Sequence, residues 1–319
     1  MYGVNGKTFG DLYKNKLSGY REWKGLKWTE ENRIGYVCFP ENCGQSLGMD
    51  ETALSKGEVV TFVTNKDHKG MKGSLVAVIF SIKMRDIIEV LETAIPQDVR
   101  DRVREVTTDL SGAMQAAAHK AFRHATNTID RFHVQMLVNE SANALRLKAR
   151  NAVRDNENAE HKLCRESNQP FVPTVLSNGE TPLQALNRAK YAFVTDDSEW
   201  TEEQKWRVDE LTGYFPELYS GLQVVKEFRS LFNLRISPKE AIVKIKKWCK
   251  NALKQGGKTF KTTVKTIKNN IFAIANYFAN RATNAFAESF NAKVKLFRTQ
   301  LRGISDPIFF VFRLTKLFA

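Results

Sequence analysis

The chain has 319 residues, 42% hydrophobic and 11% aromatic, enough to fill the core of one large domain or two ordinary ones. No run of 18 uncharged apolar residues occurs, and the opening MYGVNGKTFG lacks the basic-then-apolar pattern of a secretory leader, so a cytoplasmic protein with no membrane contact is expected. A formal net charge of +14 leaves a polyanion, most commonly nucleic acid, as the expected partner.

Cys38, Cys43, Cys164 and Cys249 form no C-x2-C pair and read as reduced thiols. The charge is uneven: lysines crowd 239–268 with Glu240 as the single acid, whereas 196–210 is mostly acidic. A basic stretch on one helix can be a solvated face. With the basic residues of the C-terminal segment it favours DNA or RNA contact.

In chain order, residues 1–44 read as an N-terminal segment or linker. SLGMDETAL follows, a short apolar run carrying Asp50 and Glu51, then the β-branched EVVTFVTNK, a Gly-Lys turn DHKGMKG and the β run SLVAVIFSI. The spacing predicts three successive antiparallel strands. RDIIEVLETAIP has helical periodicity up to Pro96, REVTTDLSG predicts a fourth strand ending at Asp109, and AMQAAAHKAFRH an Ala-rich helix. TNTID is the fifth strand, and VQMLVNESANALRLKARNAV begins a long helix.

Strand, strand, strand, helix, strand, helix, strand, helix is the order of an RNase H-like domain. In that architecture the first and fourth strands are neighbours, which brings Asp50 and Asp109 face to face, and a divalent cation would relieve their repulsion. Asp109 read alone also suits the cap of the following helix. Glu51, next along the strand, is expected to point to the other side.

From about residue 150 helical patterns take over: TPLQALNRAKYAF, WTEEQKWRVDELTGYF, LYSGLQVVKEFRSLF and SPKEAIVKIKKWCKNAL, with start signals at Thr201 and at Ser237–Pro238. The expected class is α/β (α+β): an RNase H-like mixed five-stranded sheet flanked by helices, interrupted by a large all-helical insertion. The expected division is 45–150 for the first part of the core, 151–270 for the insertion and 271–319 for the last part of the core and the tail.

That last part contains NRATNAFAESFNAKVKLFRTQLRG. Asn284, Glu288, Asn291 and Lys295 recur at spacings of four, three and four, so one helix face would present amide, carboxylate, amide and ammonium in line. Phe286, Phe290, Val294 and Phe297 form an apolar stripe suited to a sheet. Lys293, Lys295, Arg298 and Arg302 suit phosphate contacts.

LGMDETAL, TTDLSGAM, IDRFHVQ and NAFAESFNAKVKLFR, in this order, resemble the DDE transposases of bacterial insertion sequences, in the group with a helical insertion before the last carboxylate. The likeness spans most of the chain, from about Tyr2 to Leu317. It implies Asp50, Asp109 and Glu288 as catalytic metal ligands, with Asp109 bridging two Mg²⁺ ions for which Mn²⁺ can substitute. It also implies cleavage of element ends and transfer of the freed 3′-hydroxyl into target DNA, both in-line displacements at phosphorus.

Asp130 and His133 match an Asp-x-x-His signature of some such families. One reading has them contact the scissile phosphate or orient a ligand; the other has them tie strand to helix; Asp130 in place of Asp109 as a ligand is a third. Asn284 and Asn291 would orient Glu288 or hold a ligand. Partners implied are double-stranded DNA at element ends and target, and a second copy at synapsis. No room for an end-reading module precedes Asp50, so end recognition is expected from a separate end-recognition protein or an upstream reading frame. Two alternatives stand beside this: an RNase H-like nuclease or resolvase, and an inactive, element-derived DNA-binding protein.

Overall fold

The computed structural model describes residues 5–54, 58–281, 285–300 and 306–319, except the side chains of 285–288. Its chain forms two compact units: residues 1–130 with 280–319, and residues 131–279.

The first unit starts with helix α1 (Gly6–Leu12) and strands β1 (Lys27–Trp28) and β2 (Gly35–Cys38). Strands β3 (Ser46–Ala53), β4 (Val59–Asn65) and β5 (Leu75–Ile79) then make the expected antiparallel meander. Their Val, Thr and Phe content suits a pleated surface covered on both sides. The DHKGMKG turn reverses the chain through positive φ at Lys69, Gly70 and Gly73, a conformation glycine adopts without strain. Helix α2 (Met84–Ala94) stops before Pro96, whose fixed φ and missing N–H suit a helix boundary. Helix α3 (Gln97–Arg100), strand β6 (Glu105–Thr108), helix α4 (Gly112–Ala121) and strand β7 (Thr126–Ile129) follow.

The strands form one mixed α+β sheet in the order β1-β2-β5-β4-β3-β6-β7. Strands β3, β6 and β7 run parallel to one another and the remaining pairs are antiparallel. The segment from β5 to β7 has the RNase H-like order expected from sequence. Two further strands, β1 and β2, lengthen the expected five-stranded sheet to seven on the β5 edge. They are two and four residues long, too short for an alternating pattern to declare itself.

Helices cover both faces of the sheet. Leu47, Met49, Val63, Ile79 and Val106 pack on one side with Ile87, Val90 and Leu91 of α2 and Met114 and Ala117 of α4. On the other side Val37, Phe62 and Val78 pack against two helices from the end of the chain, α12 (Ala285–Gln300) and α13 (Pro307–Phe318). Phe290 and Val294 of the predicted apolar stripe are in this layer, Phe290 edge-on to Phe62 at 5.3 Å. Tyr20 and Trp23 pack on Phe312 of α13, and Lys14 pairs with Asp306, the cap of that helix, at 2.6 Å.

The second unit is helical: α5 (Arg131–Glu166), α6 (Pro182–Arg188), α7 (Glu202–Tyr214), α8 (Pro216–Asn233), α9 (Pro238–Gln255), α10 (Lys261–Asn269) and α11 (Ile271–Asn280), the last residue of α11 already belonging to the first unit. Thr181, Thr201 and Ser237 each close a reciprocal capping box with Gln184, Gln204 and Glu240, satisfying backbone N–H groups that a helix start leaves open. Gly221 lets α8 approach α5 closely, since a Cβ there would come within 2.5 Å of the Leu145 side chain. Trp248 of α9 donates its indole N–H to the Val224 carbonyl at 2.9 Å. A buried ion pair, Glu180 with Arg207, joined from the surface by the exposed Arg188, ties the loop before α6 to α7.

Candidate active site

The parallel strands β3, β6 and β7 end on the same side of the sheet, the edge at which α/β proteins gather functional groups. Their register is continuous: Gly48 of β3 lies opposite Thr107 of β6, and Thr107 opposite Thr128 of β7. Two residues further along each chain stand Asp50, Asp109 and Asp130, so a period of two assigns all three acids to one row. β3 runs on past Asp50 to Ala53, whereas β6 stops at Thr108 and Asp109 is the first residue beyond it.

Asp50 is half-buried. Its Oδ1 accepts the Glu51 N–H at 2.8 Å, and its Oδ2 accepts the side-chain amide of Asn291 from α12. Asn291 is itself buried, and its Oδ1 takes the Thr52 hydroxyl at 3.3 Å. The amide therefore lies across alternate residues of β3 and fixes the Asp50 carboxylate from one side. Asp109 is half-buried as well, and its Oδ1 accepts the Ser111 N–H at 2.8 Å. Capping of α4 falls to Ser111, whose hydroxyl accepts from the Met114 N–H, and Asp109 is not the cap. Asp130 is 1% exposed and its N–H reaches the Thr108 carbonyl at 2.9 Å.

Glu51 carries the electrostatic signature of this edge. Burial first, then the negative charges of Asp109 and Asp50, push its carboxyl above the ordinary carboxylate range. Strand alternation alone separates Glu51 from Asp50, yet its carboxyl feels both acids. The adjacent Asp-Glu pair in LGMDETAL was the available signal.

Below the acid row, Lys66 is buried with Glu105, donates to it, and donates to Thr107 Oγ1 at 2.7 Å, while the Asn280 amide also donates to Glu105. A lone charge there would be costly, and mutual pairing keeps both buried. Nothing in the local sequence marks this pair.

Position 288 lies on α12 one turn before Asn291. The side chain of Glu288, and Asn284 and Arg302 altogether, lie outside the described residues. On the remainder of α12, Lys293 donates to the Gly70 carbonyl at 2.8 Å, Arg298 to the Ala53 carbonyl at 3.4 Å, and Lys295 is exposed. In the helical unit His133 is half-buried in the first turn of α5, its ring edge-on to Phe132 at 5.7 Å.

Carboxylate oxygens crowded at a strand edge are the donor type that a hard divalent cation takes. Among the described residues, no three His, Cys, Asp or Glu side chains converge closely enough to enclose a metal ion. Asp50 and Asp109 supply two candidate ligands at neighbouring strand positions. All four cysteines are free thiols, and burial pushes those of Cys43 and Cys249 up to about 11. Cys43 and Cys249 therefore stay protonated at neutral pH. No helix among the described residues is long and apolar enough to cross a membrane.

A family model of the ISL3 group of DDE transposases, described as Transposase, matches residues 47–314. No curated protein and no solved structure matches the chain.

Proposed function

Because the chain belongs to the DDE transposases of the ISL3 group, we propose that it cleaves phosphodiester bonds at the ends of a mobile element and transfers the freed 3′ ends into target DNA, using Asp50, Asp109 and Glu288. The observation that carries this reading is the shared row of Asp50 and Asp109 on neighbouring parallel strands, with Asn291 of α12 hydrogen-bonded to Asp50 one turn from position 288.

The three carboxylates would hold two Mg²⁺ ions, with Mn²⁺ as a substitute, and these would stabilise the attacking and leaving oxygens of an in-line displacement at phosphorus. The chain's own residues do the rest. Asn291 holds the Asp50 carboxylate in one orientation, so less reorganisation is needed when the site engages DNA. The Ser111 N–H does the same for one oxygen of Asp109. Lys293, Lys295 and Arg298, on the same helix as Glu288, supply positive charge for the strand that carries the scissile phosphate, with Arg302 continuing the series. Asp130 is too deeply buried to meet a phosphate directly, so its part is to position the strand end next to Asp109. His133 is assigned a supporting contact to the DNA or to a ligand.

In domain terms, residues 45–150 and 271–319 supply the catalytic core and 151–270 the insertion. The substrate is double-stranded DNA at element ends and target, and two copies act at synapsis. The test is cleavage and joining of labelled element-end duplex with Mg²⁺ or Mn²⁺. Asp109→Asn is expected to abolish both reactions while leaving DNA binding within about twofold of wild type. An Asp109→Asn protein that still cleaves and joins would overturn the assignment.

A further inference from the structure

We propose that the exposed lysine face of α9 is a sequence-independent clamp on the sugar–phosphate backbone of duplex DNA, separate from the carboxylate site and resting on the reading that the chain acts on DNA. Residues 239–268 hold ten lysines, no arginine and one acid, Glu240. All ten lysines are exposed. On α9, about 100° of rotation per residue gathers the buried Ala241, Ile245, Trp248, Cys249 and Ala252 on one arc. Lys244, Lys246, Lys247, Lys250 and Lys254 fall on the opposite arc.

Little of this charge is neutralised among the described residues. Glu240 is engaged with Ser237 in the capping box, and among the described residues none of the ten lysines enters an ion pair. Acids elsewhere in the same unit do have partners: Asp197 with Lys226, Asp196 with Arg229, Glu180 with Arg207. Lysines three and four residues apart repel along a helix, and a polyanion lying along the face removes that cost. A groove of about 500 Å³ between α8 and α9 has Lys244, Lys247, Lys250 and Lys254 on its wall, with Trp248 and Leu231 at its base. Its one acid, Glu227, accepts a hydrogen bond from Asn251.

The partner follows from the chemistry. An 18-residue helix is about 27 Å long, which matches roughly eight base pairs of duplex at about 3.4 Å each. Lysine meets phosphate as a point charge, whereas reading guanine edges favours the forked guanidinium of arginine, which this segment lacks. The face therefore binds DNA of any sequence.

The experiment compares the full chain with K244Q/K247Q/K250Q/K254Q, both carrying Asp109→Asn so that cleavage does not enter, on a 30-base-pair element-end duplex and a scrambled duplex over a salt series. If all four lysines meet phosphates, the slope of log affinity against log salt falls by about 3.6, so that wild type loses about 150-fold more affinity than the variant between about 50 and 200 mM salt. The change is expected on both duplexes alike, and the four Lys→Arg replacements should restore the slope. The proposal is overturned by an unchanged slope, by an effect confined to the element-end duplex, by an equal loss in K72Q/K83Q/K120Q/K148Q, or by tighter binding of duplex RNA of the same length. Each outcome is independent of whether wild type cleaves, so a failure here is distinct from failure of the carboxylate assignment.

Discussion

Asn291 is the residue on which the two ends of the first unit meet. It comes 241 positions after Asp50 in the chain and donates to that carboxylate from α12, while its carbonyl takes the Thr52 hydroxyl. An amide in this position contributes direction as well as energy, since a hydrogen bond to a charged carboxylate stabilises by about 1.5–3 kcal/mol net. Asn291→Ala is therefore expected to lower stability by about 2 kcal/mol. It should also raise the Mg²⁺ concentration for half-maximal strand joining by roughly 10–100-fold, the usual penalty for losing a group that orients a metal ligand. A Mg²⁺ titration of joining, run beside a denaturant melt, separates the two effects. Reduced stability with an unchanged Mg²⁺ midpoint would leave Asn291 a packing residue only. The spacing of Asn284, Glu288, Asn291 and Lys295 made Asn291 visible in the sequence as part of a polar line, with Glu288 as the group it would orient. That it meets Asp50 is set by how α12 seats Phe290 and Val294 on the sheet, a tertiary fact without a local signature.

Among the elements, the loop before α6 is held by one carboxylate. Glu180 is buried and receives Arg207 Nε at 3.0 Å and Nη2 at 2.8 Å, with Arg188 beside it. Hydrogen bonds from Arg207 first, and Arg188 with them, outweigh burial and hold the Glu180 carboxyl down to about 2. Its folded value lies below its unfolded value of about 4.3, so the stabilisation is fully present above that pH and is lost as pH falls toward 2. Glu180→Gln leaves the buried Arg207 with only the exposed Glu203 as counter-charge and is expected to cost roughly 3 kcal/mol at pH 7. The gap from wild type should narrow between about pH 4 and pH 2, as seen in urea melts across that range. A gap independent of pH would assign the loss to packing. The helices around this knot were legible because Thr201 and Ser237 announce their starts and their apolar spacing repeats over many residues. The knot itself was not, because it joins residues 27 positions apart through a loop with no periodicity. Strands β1 and β2 escaped for a related reason: each is too short for a usable alternating pattern, and pairing with β1 and β5 makes β2 a strand.

At the scale of the whole molecule, the order of strands and acids was readable because each acid follows a β-type run and each run is followed by a helix of the right period. The common row of Asp50, Asp109 and Asp130 was not readable in full, since register across three strands depends on pairings that no single segment encodes. That row makes a test by melting possible. Crowded carboxylates destabilise the folded chain when ionised, and Glu51, raised by burial first and by Asp109 and Asp50 after it, feels that crowding. A cation bound by the folded state alone stabilises it by mass action, about 2.7 kcal/mol at 100 times its dissociation constant. Mg²⁺ at that excess is thus expected to raise the Tm of wild type by roughly 5–10 °C if the first unit melts as a domain of about 150–170 residues. Asp109→Asn should melt higher than wild type in EDTA, because a negative charge beside Asp50 and Glu51 has gone, and should no longer respond to Mg²⁺. Asp130→Asn should keep the response. If Asp130→Asn loses it and Asp109→Asn retains it, the second ligand is the buried acid at the end of β7, and the catalytic assignment moves one strand along the same row.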